Sequence, residues 1–591
     1  MNRQSLNLPR TFLWLALASL AVYTAAMTLF KISTNDVWIH LKTGEFVLRH
    51  GWVPLTDPYS FIAAGRPYIA HEWLAGVLFY LVYSAAGVTG LIFLKAAVIW
   101  AACALLILTA LRLGARWSVI LPAFAASIFV ASARFLERPH IFSFLMAALY
   151  LWLFYRYRSG GRDRRWLWAI LPAHVLWANL HGGHIQGIAM VAVFAAGEAL
   201  NALRARLLGR GKENILPARD VAALALLVPG CLLASLVNPY GIKILTFPFE
   251  LSGTVVFMRT VFEWQPPYAD GFNATTMFFI YVLLLVAFLA SFFAVQRDRT
   301  RSRAVREPLA ELNAVFLGAL GLTFIAFLFA RLQGPAGLWQ PGFLAFSMLF
   351  LYGLFGLFAF VNIRSVDLVQ AGLFALFLYV SMRHNRAVAD AALVFFVFLA
   401  ANASTWLDRR RAAPSGAGLG RGRSGRKGLV LGSAFVLAAS LYTLVVGYHF
   451  DFQGGIREKG FGIASNMPVR AVDFIARSGI KGNAFVSYTF AGLLIHRMWP
   501  EVMVNMDSRN DVYGEELYVE YNTALQDPAA MRGYLERHPV DFFLLARNGV
   551  AAAVYDDLTA AGGWTPAYAD DQAVVLVKKR ASPGGGAGRM R

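Results

Sequence analysis

Residues 31–73 read KISTNDVWIHLKTGEFVLRHGWVPLTDPYSFIAAGRPYIAHEW, and they stand between two apolar runs, Thr11 to Phe30 and Leu74 to Leu111. About twenty apolar residues suffice to cross the hydrocarbon core of a bilayer. The stretch is therefore a loop between membrane segments, and its content is unusual for a connector. It gathers Asp36, His40, Asp57, His71 and Glu72 among Trp38, Trp52, Tyr59 and Trp73. Titratable groups mixed with amphipathic aromatics are what a site at a membrane surface requires. Asp36 and His40 are four residues apart, so a helix capped by Ser33-Thr34-Asn35 puts them on one face, with Gly44 a further turn along. Pro54, Asp57-Pro58 and Gly65-Arg66-Pro67 are turn signals, which predicts an ordered lid before the apolar sequence resumes at His71-Glu72-Trp73.

The rest of the chain agrees with a membrane setting. Its 591 residues are 58% hydrophobic and 14% aromatic, with a mean hydropathy of +0.54, far too apolar for a soluble protein of this length. A polytopic helical membrane protein is predicted. The formal net charge of +20 comes from arginines in short clusters between apolar runs. That pattern marks cytoplasmic loops beside anionic lipid, so the bilayer is the expected partner and nucleic acid is not. Cys103 and Cys231 both fall within apolar segments, which implies neither a disulfide framework nor a thiolate metal site. The run from Thr11 is long for a signal peptide and reads as an uncleaved first helix.

The basic clusters at Arg156 to Arg165, Arg204 to Arg219, Arg297 to Arg306 and Arg409 to Lys427 are placed in the cytoplasm with the amino terminus. Parity then requires the short run Leu74 to Ala86 to be a helix along the membrane surface, with the next span starting near Thr89. About thirteen spans follow, near 11–30, 90–111, 117–133, 141–157, 166–180, 184–203, 220–237, 274–296, 309–329, 342–361, 367–381, 388–406 and 428–448. On this count Arg134 to His140, Asn179 to His184, Asn238-Pro239-Tyr240-Gly241, Glu263-Trp264, Arg331 and Arg383 to Arg386 share the outer side with Asp36. Cytoplasmic loops carry almost only solvated basic residues. Ionisable groups at helix ends are kept for a partner, a ligand or lipid head groups.

The predicted fold class is an all-α polytopic membrane domain over 1–448, with its first loop at 31–73, followed by a small extracytoplasmic α/β domain over 449–580. Helices are expected at Pro468 to Ser478, Phe490 to Met498, 514–525 and 528–537, and strands at Asn483 to Ser487, Val502 to Asn505, Asp541 to Leu545, 566–570 and 573–578. The end, 581–591, is disordered by composition.

Asp36-Val37-Trp38-Ile39-His40-Leu41, Gly44-Glu45, Gly51-Trp52-Val53-Pro54, Asp57-Pro58-Tyr59-Ser60 and His71-Glu72-Trp73-Leu74 together resemble the opening of a large family of bacterial multi-spanning proteins. Asn238-Pro239-Tyr240-Gly241, Asp507-Ser508-Arg509 and Tyr513-Gly514 extend the likeness along the chain. That family in turn resembles the GT-C glycosyltransferases, among them oligosaccharyltransferases, protein O-mannosyltransferases and the aminoarabinose transferases of lipid A. The resemblance implies a GT-C-like membrane domain in a bacterial inner membrane, an acidic residue just after the first span, a polyprenyl-phosphate-linked sugar donor, and inversion at the sugar carbon. The acceptor would be a glycan, lipid or protein. Asp36 occupies the acidic position. Only Asn35-Asp36 stands where an Asp-x-Asp or Glu-x-Asp pair is usual, and the Trp-Trp-Asp motif of oligosaccharyltransferases is absent, so neither a metal nor a peptide-asparagine acceptor follows from the likeness.

Transfer from a lipid phosphate needs a base for the acceptor hydroxyl and cations for the leaving phosphate. Asp36 is the candidate base, against the plainer role of an acid near a helix N-terminus. His40 is a candidate to orient it or to touch phosphate. Asp57, His71 and Glu72 are candidates for substrate binding and, with Asp36, for a divalent ion such as Mg, Mn or Zn. Against that, Asp57-Pro58 suits a turn and His71-Glu72 a helix start. His181 and His184 are candidates for substrate hydrogen bonds. Arg383 and Arg386, then Arg331 and Arg138, are the candidate phosphate ligands, against simple contact with lipid head groups. Asp507 and Arg509 read as a structural ion pair. Two other functions fit the many spans: a transporter or lipid flippase, disfavoured by few mid-span polar groups and no paired broken helices, and a non-catalytic assembly protein for envelope polysaccharide.

Overall fold

The computed structural model describes residues 10–159, 161–207, 215–253, 255–269, 275–297, 303–333, 341–363, 366–412, 421–446, 448–450, 456–560 and 563–579. The end expected to be disordered, 581–591, lies outside them, as do 208–214, 298–302 and 413–420 of the basic clusters. The chain divides into two compact units: Met1–Lys31 with Thr89–Phe461, and Ile32–Val88 with Gly462–Arg591.

The first unit is helical. It holds α1 (Arg10–Thr28), and the second part of a helix, α3 (Trp73–Arg112), whose first part lies in the other unit with α2 (Asp36–His50). It continues through α4 (Trp117–Ala131), α5 (His140–Ser159), α6 (Arg165–Trp168), α7 (Ile170–Leu180), α8 (His184–Leu207), α9 (Ala218–Ser235), α10 (Lys243–Ser252), α11 (Val255–Thr260), α12 (Thr276–Arg297), α13 (Arg303–Gln333), α14 (Pro341–Val361), α15 (Leu368–Arg383), α16 (Val388–Ala412) and α17 (Arg421–Val446), and ends on a small hairpin, β1 (Tyr448–Phe450) with β2 (Ile456–Glu458). Among the described residues ten helices are long and apolar enough to cross a membrane, and the chain is a multi-pass membrane protein. The other expected spans are present as helices but lack length or hydropathy. α7 has 11 residues and α15 has 16, while α5 carries Arg156 and Arg158 in its last turn. α16 is the axis of the unit, with 89% of its apolar window buried, and packs on α4 and α12. Phe288 stacks on Phe374 at 4.1 Å between ring centres, and Phe374 meets Phe395 at 4.7 Å.

Two sequence expectations change here. The basic clusters are not only solvated: Arg158 pairs with Glu198 at 2.9 Å and Asp367 at 2.8 Å, and Arg164 with Asp220 at 2.7 Å. Buried guanidiniums are tolerated because each has a carboxylate. Nor are the helices bare of polar groups. Tyr150 OH lies 2.9 Å from His174 Nδ1, whose Nε2 is 3.0 Å from Ser235 Oγ.

The second unit joins the first loop to the carboxyl-terminal region. After α2 and the first part of α3 come α18 (Val469–Arg477), β3 (Gly482–Val486), α19 (Ala491–Met498), β4 (Val502–Val504), α20 (Asn510–Ala524), α21 (Pro528–Arg537), β5 (Phe542–Ala546), α22 (Ala552–Ala560), β6 (Trp564–Ala569) and β7 (Ala573–Lys578). The sheet order is β4-β3-β5-β7-β6, with β3 parallel to β4 and β5, and β7 antiparallel to β5 and β6. Parallel neighbours need crossovers, which α19, α20 and α21 provide. Every expected helix and strand of this region is present, while α22 was not foreseen. At Gly87 the backbone leaves helical geometry, φ 60°, ψ −154°, so α3 is two helices and the piece before Gly87 is separate, where the short run was expected.

The loop is built into the second unit. Phe61 N donates to Val504 O at 3.0 Å and Val504 N to Tyr59 O at 3.1 Å, which lays the loop along the sheet edge at β4. Asn35 stands at the N-cap of α2 but does not cap it. Its side chain accepts from Gly492 N at 2.7 Å and donates to Tyr488 O at 3.2 Å.

Candidate functional site

In the second unit, α2 and the first part of α3 cross at two glycines. A Cβ on Gly44 would lie 2.1 Å from Gly76 O, and one on Gly76 would lie 2.7 Å from His40 O. Only glycine admits backbones this close. The crossing sets His40 of α2 against Glu72, which immediately precedes α3, with Nε2 to Oε2 at 3.4 Å. His71 Nε2 is 3.7 Å from Oε1 of the same carboxylate, and its Nδ1 is 3.2 Å from Ile69 O. Asp36 and His40, one turn apart on α2, face a cavity of about 120 Å³ together with Thr43, Tyr68, His71, Glu72, Ser508, Arg509 and Asp511. The cavity thus holds three carboxylates and two imidazoles. Burial pushes the Asp511 carboxyl up, opposed by His71 and Arg509.

Arg509 forms the wall between this cavity and a saturated network. Its Nη1 is 2.7 Å from Asp57 Oδ1, its Nε donates to Asp507 Oδ1 at 2.9 Å, and its Nη2 to Asp507 Oδ2 at 2.6 Å. The guanidinium lies 4.8 Å and 4.7 Å from the ring centres of Tyr59 and Tyr68. Tyr513 OH donates to Asp507 Oδ2 at 2.8 Å. Burial works against the Arg509 charge, but Asp507 and Asp57 outweigh it and hold the guanidinium well above its usual range. Asp57 also accepts from the amides of Tyr59 and Ser60, both at 3.1 Å. It serves this network and does not line the cavity.

In the first unit, Arg138 and Arg386 share a neighbourhood. Glu263 takes Arg134 at 2.6 Å and Arg138 at 2.8 Å. Arg386 lies 3.7 Å from the centre of the Trp264 ring. Burial opposes ionisation of Glu263, but Arg134, Arg138 and Arg386 outweigh it and bring its carboxyl down to about 2. Three guanidiniums act on Glu263, and two of them, Arg134 and Arg386, also act on the Asp390 carboxylate. Arg383 turns instead to Tyr379 OH, at 2.7 Å, and Arg331 sits in the last turn of α13. His181 and His184 do not act as a pair. His181 Nδ1 is 2.6 Å from Ser143 Oγ and accepts from Gly183 N at 3.0 Å, whereas His184 is buried beside His174, 5.7 Å between ring centres.

Among the described residues no group of three or more His, Cys, Asp or Glu side chains is arranged to hold a metal ion. Of the four expected ligands, Asp57 is committed to Arg509 and the other three line the cavity without forming such a group. Sequence reasoning missed Asp511, Ser508 and the cavity-facing side of Arg509. A visible signal existed in Asp507-Ser508-Arg509-Asn510-Asp511, four polar or charged types packed into a segment flanked by Met506 and Val512.

No family model matches the chain, and no curated protein matches it. Among solved structures it is similar to the oligosaccharyltransferase of Archaeoglobus fulgidus in its apo form, at 11% identity and a TM-score of 0.44, over 90% of this chain and 69% of that one. The same enzyme in complex with Zn and sulfate matches at 11% identity and a TM-score of 0.43, over 95% and 73%. ArnT from Cupriavidus metallidurans bound to undecaprenyl phosphate matches at 11% identity and a TM-score of 0.38, over 95% and 97%. Oligosaccharyltransferase and ArnT are both GT-C glycosyltransferases.

Proposed function

We propose that the protein is an inverting membrane glycosyltransferase that moves a sugar from a polyprenyl-phosphate-linked donor to an extracytoplasmic acceptor. The observation that carries this reading is the cavity of the second unit, where Asp36 and His40 share one face of α2 and meet Glu72, His71 and Asp511. An acceptor hydroxyl gives its proton to the Asp36 carboxylate as its oxygen attacks the sugar carbon. The bond from that carbon to the phosphate oxygen breaks, and the polyprenyl phosphate leaves with the electron pair. Attack opposite the leaving group inverts the carbon. His40 and Glu72 fix the geometry around the base, and Asp511 and His71 bind the acceptor. Arg138 and Arg386 are proposed to hold the donor phosphate, since guanidiniums grip phosphate oxygens through paired hydrogen bonds. Arg331, Arg383, His181 and His184 are secondary candidates for donor contacts.

Asp36→Asn keeps the shape of the side chain and removes the base. We expect transfer from a polyprenyl-phosphate sugar to fall about a hundredfold to ten-thousandfold, with the variant still inserted in the membrane and the donor accumulating. Unchanged product from a normally expressed variant would remove Asp36 from the chemistry. Arg138→Gln and Arg386→Gln are expected to raise KM for the donor before they lower kcat.

A further inference from the structure

The basic end of the first unit contains two arginines that its carboxylates do not serve. Arg112 ends α3 and Arg156 lies in the last turn of α5. Arg112 donates to Ser159 Oγ at 3.3 Å, and Arg156 lies 5.1 Å from the centre of the Trp166 ring. The two charges repel each other. Among the described residues neither has an ion-pair partner, and Arg156 Nε is buried without a hydrogen-bond partner. Their neighbours are matched: Arg116 with Asp408, Arg158 with Glu198 and Asp367, Arg164 with Asp220. Two converging cations left unmatched in such company call for an anion.

Arg112 also closes one end of a groove of about 560 Å³, whose walls come mainly from α1, α3 and α4. Leu17, Leu20, Trp100, Leu108 and Trp117 line it, and its surface is almost wholly apolar. α1 packs on α17 and α4, which leaves this space between α1 and α3 unfilled. Of its lining Leu17 is 38%, Trp100 41% and Leu108 50% exposed, an apolar surface that in a multi-pass protein meets hydrocarbon. Trp117 and Trp152 line the same groove as Arg112, and Trp152 meets Trp166 edge to face at 5.3 Å, the aromatic and cationic mixture of a head-group level.

We propose that this groove binds one anionic phospholipid, with an acyl chain laid between α1 and α3 and its phosphate held between Arg112 and Arg156. The groove supplies apolar length, and the paired guanidiniums select a head group with net negative charge, since a zwitterionic one would bring a third cation to the site. The site lies wholly in the first unit and does not depend on the proposed sugar transfer.

The test uses the full chain purified in detergent from a membrane containing phosphatidylglycerol and phosphatidylethanolamine, with bound lipid extracted and quantified by mass spectrometry. Wild type is expected to retain phosphatidylglycerol preferentially. The R112Q/R156Q double variant is expected to retain at least about tenfold less, since both charge-assisted contacts to the phosphate are lost. Ala104→Trp, which fills the groove and leaves both arginines in place, is expected to lose the lipid as well. Each variant alters what the other leaves intact, so a folding defect in one leaves the other to decide. Equal retention by wild type and both variants would overturn the proposal, as would a wild type that holds phosphatidylethanolamine equally well or a polyprenyl phosphate in its place.

Discussion

Two clusters of charge stand side by side in the second unit and are used in opposite ways. Around Arg509, contacts to Asp57 and Asp507 run from 2.6 to 2.9 Å, the Tyr59 and Tyr68 rings lie 4.8 and 4.7 Å from the guanidinium, and Tyr513 closes the set. Across the same side chain, the cavity holds His40, His71 and Glu72 at 3.4 and 3.7 Å, with Asp36 and Asp511 on its wall. Short saturated contacts in a dry setting fix position, and they are costly to disturb because any member left behind is a buried charge. Longer contacts around an open volume leave protons movable, which is what acid–base chemistry requires. Arg509 belongs to both clusters, and so sets the depth at which structure stops and chemistry begins.

The largest effect should come from the saturated side. Arg509→Met keeps much of the side-chain volume but strands the carboxylates of Asp57 and Asp507 in the interior. We expect a loss of about 3–5 kcal/mol, read as faster hydrogen exchange in 57–68 and in β3 and β4. Exchange rates like those of wild type would show that the network is not what holds the loop to the sheet.

A second prediction separates structural from chemical imidazoles. His496 of α19 packs on Trp38 and Tyr83, with ring centres 5.4 and 5.3 Å away. Burial, with help from Lys42, lowers its pKa from 6.5 to about 4. Its folded value is depressed, so the unfolded chain binds the extra proton first. Its contribution is therefore complete above pH 6.5 and is lost as pH falls towards 4, by up to about 3 kcal/mol in total. His496→Phe should flatten that acid loss in a pH series of thermal unfolding while leaving the pH profile of transfer unmoved. A shifted transfer profile would place His496 on the chemical side of the comparison.

How much of this was legible follows from what each feature demands of the sequence. Hydrocarbon demands continuous apolar length, so the long spans stand out, while α7 and α15, at 11 and 16 residues, mark where length and hydropathy part. Strands β3, β5 and β7 are short apolar runs bounded by turns, and they show for the same reason. Asp36 and His40 were visible as a pair because helical spacing links residues four apart. The union of the first loop with the carboxyl-terminal region was not, because nothing local connects Asn35 to Gly492 or Asp57 to Arg509. Those contacts are specified by complementarity between side chains more than four hundred positions apart, and one sequence holds no record of which pairs meet. Gly44 and Gly76 pointed towards a close crossing only once the two helices were known to be neighbours. Asp57 looked like a metal ligand because its commitment to Arg509 is invisible without the fold.

The smallest effect, and the sharpest, concerns Asp511. Both clusters contain buried carboxylates, and burial raises the pKa of Asp57, which Arg509 pairs at 2.7 Å, as it raises that of Asp511. An acid with a raised folded value holds its proton longer in the folded state than in the unfolded chain. Stability therefore falls as pH rises from the ordinary value of about 3.9 through the folded one, the reverse of His496. Asp511→Asn removes that slope, so the variant should gain on wild type across this window and level off once Asp511 has ionised. Transfer should weaken in the same variant, chiefly through KM for the acceptor. A stability gain with weaker transfer marks a group kept for function at a cost to the fold, whereas a loss of stability would move Asp511 into the Arg509 network and shrink the chemical cluster to Asp36, His40, His71 and Glu72.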